Sequence, residues 1–150
     1  MKICKSIKVE RAPETAFKVF CGDMSRWWPA GFGKDSKVWL EGRVGGRYYE
    51  ISPEGVETEI GKVTVYEPPS RVAFTFRAPD WNAATLVDVR FVADGVGTRV
   101  ELEHSGWEQD AKLEEASKNF DHGWDFVLGK YTTHIAALSL LEGCVERRSR

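Results

Sequence analysis

The stretch FDHGWDFVLGKYTTHIAALSLLEG, Phe120 to Gly143, decides the fold. Its apolar or aromatic side chains are Phe120, Trp124, Val127, Leu128, Tyr131, Ile135, Leu138 and Leu141. Gaps of three and four residues place them in one broad stripe on a helix. Gly143 is the expected stop just past that stripe. From Phe120 to Glu142 such a helix spans roughly 34 Å. A stripe of that length needs a large apolar surface to lie on. The rest of the chain offers short strand patterns, so the expected class is α+β, a curved antiparallel sheet around a long C-terminal helix.

Working back from the helix, Asp110–Lys118 is polar with Leu113 and Ala116 on one side, a helical lead-in. Alternating apolar positions predict strands around Val100–His104, Val87–Phe91, Val72–Phe76, Glu57–Glu67, Arg47–Ile51, Lys37–Glu41 and Ile3–Val9. Asp94-Gly95-Val96-Gly97 and Ser52-Pro53-Glu54-Gly55 are turns. Short turns between strands imply antiparallel neighbours. After the first strand, Pro13 suits the start of a helix and Glu14 its positive end. A second helical turn, Met24–Pro29, ends at Trp27-Trp28-Pro29, where Pro29 pushes Trp28 toward extended geometry. No repeat or linker divides residues 1–150, so one domain is expected.

Composition narrows the function classes. Net charge is −2, which argues against a nucleic-acid surface. Apolar content is 42%, that of a globular chain. Six Trp in 150 residues either fill a core or line a cavity. Cys4, Cys21 and Cys144 are odd in number and widely spaced, which fits reduced thiols and a cytoplasmic setting. No apolar run approaches the roughly 18 residues of a membrane span. The histidines lack metal-site spacing and no dinucleotide or Walker signature occurs, so neither metal nor cofactor is expected.

Several residues are candidates for a site. His104 shares strand parity with Val100 and Leu102, so its ring points inward. It is a core histidine or a ligand-orienting or acid–base group. Glu57 and Glu59 share the parity of Val63 and Val65; they point inward unless a bulge near Gly61 slips the register. Glu59 is kept as a ligand contact on that parity and Glu57 is assigned to solvent. The direction of Glu50 is open, because Tyr48 on its face and Tyr49 and Ile51 on the other are equally apolar. Arg43 and Arg47, beside Gly45-Gly46, are expected in surface ion pairs. Trp28, Phe32 and Trp81 sit beside Pro or Gly in loops and are expected to rim a pocket. Trp39, Tyr48, Phe74, Trp124, Leu128 and Tyr131 complete the expected ligand contacts.

A set of short motifs in fixed order carries a family resemblance. Ala12-Pro13-Glu14, Trp27-Trp28-Pro29, Leu40-Glu41-x-Arg43-Val44-Gly45-Gly46-Arg47-Tyr48-Tyr49-Glu50, Gly61-Lys62-Val63, Glu67-Pro68-Pro69, Gly97-Thr98-Arg99-Val100, Leu102-Glu103-His104-x-Gly106-Trp107 and Gly123-Trp124 follow one another. Together they resemble the homologues of the activator of the heat-shock-protein-90 ATPase, within the START-like, helix-grip (SRPBCC) superfamily. The resemblance implies a sheet gripping the last helix over a hydrophobic cavity. It implies no single activity, since relatives include lipid carriers, cyclases and co-chaperone domains. The leading expectation is therefore a binder of a small hydrophobic or amphipathic molecule. A co-chaperone-like module with a protein partner is the alternative. An enzyme pairing His104 with an inward carboxylate is the third reading.

Overall fold

A computed structural model describes the backbone of residues 1–149 and the side chains of residues 1–138. The chain runs β1 (Ile3–Val9), α1 (Pro13–Gly22), α2 (Met24–Trp27), β2 (Lys37–Leu40), β3 (Arg47–Ile51), β4 (Glu57–Glu67), β5 (Arg71–Phe76), β6 (Thr85–Asp94) and β7 (Gly97–Ser105). A single 3₁₀ turn, Trp107–Gln109, then leads into α3 (Ala111–Ser149). The strands form one antiparallel seven-stranded sheet ordered β1-β7-β6-β5-β4-β3-β2. It curls around α3, which is the helix-grip arrangement.

Local chemistry explains the small helices. Pro13 takes the first position of α1, where its missing N–H costs nothing, and Glu14 lies in the positive first turn. Phe17 and Phe20 then meet Phe91 edge-on, with ring centroids 5.2 and 5.5 Å apart. α2 ends at Trp27 because Trp28, ahead of Pro29, is extended at φ −64° and ψ 132°. The Trp27 indole N–H donates to the carbonyls of Val19 and Phe20, tying α2 back onto α1.

Two expectations about the last helix are corrected. The lead-in and the stripe are one continuous element, started by Asp110, whose Oδ1 accepts the Leu113 N–H at 2.9 Å. Gly143 does not stop the helix, which continues to Ser149. One interior glycine costs about 1 kcal/mol relative to alanine, too little to end a long helix without a proline behind it. The stripe itself is as expected: Trp124, Leu128, Tyr131 and Ile135 are buried, with Phe120, Val127 and Leu138 packed beside them. The place of Leu141 in the stripe falls outside the described side chains. Leu128 is 2% exposed at the middle of this seam. Leu128→Ala is expected to cost about 2–5 kcal/mol in a denaturant melt, through lost transfer energy and the cavity it leaves. A loss below about 0.5 kcal/mol would place the side chain in a site that collapses freely.

The sheet carries an irregularity that bears on the site. Tyr48 pairs with Gly61, but Tyr49 pairs with Glu59, so Ile60 is an extra residue on β4. Beyond that bulge the facing of β4 reverses. Ile60 turns into the core, while Glu57, Thr58 and Glu59 face water. Glu59 is thus not an inward carboxylate: it is exposed and paired with Lys62 at 3.0 Å. Glu57 pairs with Arg47 at 2.8 Å on the same outer face, and Arg43 reaches Glu41 at 3.6 Å.

Candidate functional site

Between the sheet, the loop after α2 and one side of α3 lies a cavity of about 160 Å³. Its walls come from three sources. Tyr48, Ile60 and Phe76 project from β3, β4 and β5. Phe120, Gly123, Trp124 and Val127 present one face of α3 at spacings of three and four, the repeat of a helix side. Trp28, Ala30, Gly31 and Phe32 close the third side. No wall residue is charged, whereas each of four other surface hollows has charged side chains in its lining.

The loop wall is held by a buried carboxylate. Glu50, 6% exposed, points to the same side of β3 as Tyr48. Its Oε2 accepts from the Ser36 hydroxyl at 2.9 Å and from the Gly33 N–H at 3.3 Å. The Ser36 Oγ also accepts the Gly31 N–H at 3.0 Å. A side chain at residue 31 would run into that Glu50 oxygen, so the loop can approach only because Gly31 has no Cβ. This clamp fixes the loop that presents Phe32. The Phe32 ring stands edge-on to Phe76 at 5.8 Å and remains 45% exposed at the cavity mouth.

His104 lies outside the wall and supports it. The Trp124 Nε1–H donates to His104 Nδ1 at 2.9 Å. An indole nitrogen can only donate, so Nδ1 carries no proton and the proton is on Nε2. Nε2–H therefore donates to Thr85 Oγ1 at 2.6 Å, and the Thr85 hydroxyl donates to the Phe76 carbonyl at 2.7 Å. The chain Trp124–His104–Thr85–Phe76 is fully satisfied. The ring also rests on Trp107, with centroids 4.2 Å apart. Burial without a charged partner pushes the His104 pKa down to about 3, so the imidazole is neutral. Both ring nitrogens are engaged by protein, which leaves neither for proton transfer to a bound molecule.

The expected contacts thus divide into three groups. Trp28, Phe32, Tyr48 and Trp124 line the cavity. Phe74, Trp81, His104, Leu128 and Tyr131 are buried behind its walls. Trp81 is not a rim residue, because its loop folds its ring against Phe76, Trp107 and Phe120. Tyr131 is fixed to α1 by its hydroxyl, which donates to the Ala16 carbonyl at 2.8 Å. Trp39 and Glu59 face the other way. Val38 takes the buried side of β2, so Trp39 is turned to the outer face, 39% exposed. Besides Ala30, Gly31 and Gly123, the lining residues that sequence reasoning did not name as contacts are the larger side chains Ile60, Phe76, Phe120 and Val127. Three of them sat in view as alternation or stripe positions; Ile60 became visible only with the bulge.

A family model described as activator of Hsp90 ATPase homolog 1-like protein matches residues 11–135. Among solved structures, a protein from Mesorhizobium loti superposes with a TM-score of 0.72 at 16% identity, covering 91% of this chain and 98% of that one. The AHSA1 protein from Silicibacter pomeroyi gives a TM-score of 0.67 at 22% identity, over 91% and 99%. At higher identity, 36%, an anthrahydroquino-gamma-pyrone synthase solved as a complex aligns over 69% of this chain and 75% of its own, with a TM-score of 0.52. Among curated proteins there is no significant match.

Proposed function

The chain belongs to the activator of Hsp90 ATPase homolog 1-like family, and we propose that it serves as a binding protein for a small hydrophobic molecule held between the sheet and α3. The observation that carries this reading is the uncharged, aromatic-walled cavity of about 160 Å³. Pockets of that composition bind by removing apolar surface from water, with a few polar groups setting orientation. The ligand would enter at the cavity mouth beside the half-exposed Phe32.

Gly123 offers a test that separates binding from folding. It lines the cavity from an exposed turn of α3, and an added Cβ there meets nothing within 4 Å. Leucine is a far better helix former than glycine, so Gly123→Leu should hold or raise the melting temperature. Placed on the cavity wall, its side chain is expected to take up part of the cavity space, and toluene affinity is expected to fall roughly tenfold, about 1.4 kcal/mol. Titration of tryptophan fluorescence with toluene would measure this. Native mass spectrometry of protein purified from its own host would identify a retained molecule. Unchanged toluene affinity in a folded Gly123→Leu protein would remove the cavity as the binding place.

A second reading, ring-forming chemistry on the bound molecule, is favoured by the 36% identity to the anthrahydroquino-gamma-pyrone synthase. In this chain such chemistry would rely on confinement and on the Tyr48 hydroxyl, since His104 is fully engaged. The family description also supports a co-chaperone-like protein contact as an alternative use. Pull-down against the chaperone with the Gly123→Leu protein separates the two, because a contact through the outer surface is insensitive to a plugged cavity.

A further inference from the structure

Tyr48 is the polar group of the cavity whose use the fold does not explain. Its side chain is among the most deeply buried of the molecule, 1% exposed, and it forms part of the cavity wall. The ring is fixed by Phe74, Phe76 and Trp28, with centroids 4.7, 5.7 and 5.7 Å away. Other buried polar groups nearby are answered: Tyr131 by the Ala16 carbonyl, Trp124 by His104, His104 by Thr85, and Glu50 by Ser36 and Gly33. Among the described residues the Tyr48 hydroxyl has no hydrogen-bond partner. Yet no fully sealed side-chain oxygen or nitrogen among those residues is unpartnered. The hydroxyl therefore keeps a trace of accessible surface, and the cavity is the open space that Tyr48 borders. A buried hydroxyl without a partner is costly, which is why such groups mark the place of a water or a ligand atom.

Size and charge narrow what that atom belongs to. A cavity of about 160 Å³ is close to the roughly 150 Å³ that accommodates one benzene ring. Its walls are aromatic and suit edge and face contacts with another ring. The buried Glu50 carboxylate lies on the same side of β3 and would repel an anion. Burial and the Glu50 charge also raise the Tyr48 pKa well above its ordinary value, so the phenol keeps its proton and can donate it.

We infer that the cavity takes an uncharged one-ring aromatic molecule whose carbonyl or hydroxyl oxygen accepts a hydrogen bond from Tyr48. This rests on the binding role proposed above and adds to it the ligand class and its anchoring residue. Tyr48→Phe removes the hydroxyl alone and breaks no hydrogen bond within the protein, so the variant should fold with an unchanged or higher melting temperature.

The test compares phenol, toluene and benzoate by calorimetric titration of wild-type and Tyr48→Phe protein. Phenol affinity should drop roughly five- to tenfold in the variant, toluene affinity should stay level, and benzoate should bind either protein at least about tenfold more weakly than phenol binds the wild type. In wild-type protein labelled with ¹³C-tyrosine, phenol but not toluene should shift the Tyr48 ring carbon bearing oxygen. That reading stands even if the variant folds poorly. If phenol and toluene both bind but respond alike to Tyr48→Phe, and the ring carbon does not distinguish them, the anchor is overturned while the cavity remains a binding site. Benzoate binding as tightly as phenol overturns the uncharged class. If none of the three binds the wild type, the binding role itself falls, and this inference with it.

Discussion

Gly61→Ala is expected to lower stability by about 3 kcal/mol, although it adds a single methyl group. A Cβ at residue 61 would run into the backbone carbonyl of Thr75, and backbone cannot step aside as a flexible side chain can. The two strands are pinned at this point. Lys62 N–H donates to Thr75 Oγ1 at 2.8 Å and Arg77 N–H to the Ile60 carbonyl at 2.9 Å. Making room would pull β5 from β4 and disturb the bulge that turns Ile60 into the cavity wall. For a chain of this size the loss corresponds to a fall in melting temperature of roughly 10 °C. Gly129→Ala is the matched control: it lies inside α3, and an added Cβ there meets nothing within 4 Å. It should stabilise by about 0.5–1 kcal/mol, the usual difference between glycine and alanine in a helix. Thermal melts of both proteins check the pair. Equal and small changes would mean that β4 and β5 separate without cost at Gly61.

The same glycine shows where sequence reading reaches its limit. The helix stripe, the strand alternation and the glycine turns are local patterns, so a curved antiparallel sheet around a long C-terminal helix was legible from them, and the family resemblance added the helix-grip fold. So were Trp28, before Pro29, and Phe32, between two glycines, as residues presented by a loop. The facing of Glu59 was not, because a one-residue bulge reverses every later position on the strand and leaves only a glycine as its trace. The direction of Glu50 was open because both faces of β3 are apolar. It turns inward because Ser36 and Gly33, 14 and 17 residues earlier, supply the donors its carboxylate needs. Trp81 looked like a loop aromatic, but the packing that buries it comes from Trp107 and Phe120, whose proximity no local pattern encodes. What escapes is a bulge for Glu59 and a long-range partner for Glu50 and Trp81.

Acid should destabilise the protein through His104 already between pH 6.5 and 4.5. The His104 pKa is near 3 in the folded chain and about 6.5 in the unfolded one, because burial among Phe76, Trp107, Phe120 and Trp124 disfavours the imidazolium. Between those values the unfolded chain holds a proton that the folded chain does not. Stability from this group is fully present above pH 6.5 and is lost as pH falls toward 3, at about 1.4 kcal/mol per pH unit. Glu41 and Glu108, whose pKa values are lowered by hydrogen bonds from the Arg47 and Glu108 backbone N–H groups, add their share only below about pH 4.5. Over the window from 6.5 to 4.5 the His104 contribution amounts to about 2–3 kcal/mol, read as the difference between wild type and His104→Gln. In His104→Gln the amide can accept from Trp124 and donate to Thr85, and it has no proton to gain. Its stability should be flatter across that window by the same amount. Urea melts at pH 6.5 and 4.5 on both proteins measure the difference, and ¹⁵N spectra of the wild type should report a neutral ring protonated on Nε2 throughout. A wild-type stability as flat as the variant's would mean that His104 takes up a proton inside the fold, which would return it to the candidates for acid–base work.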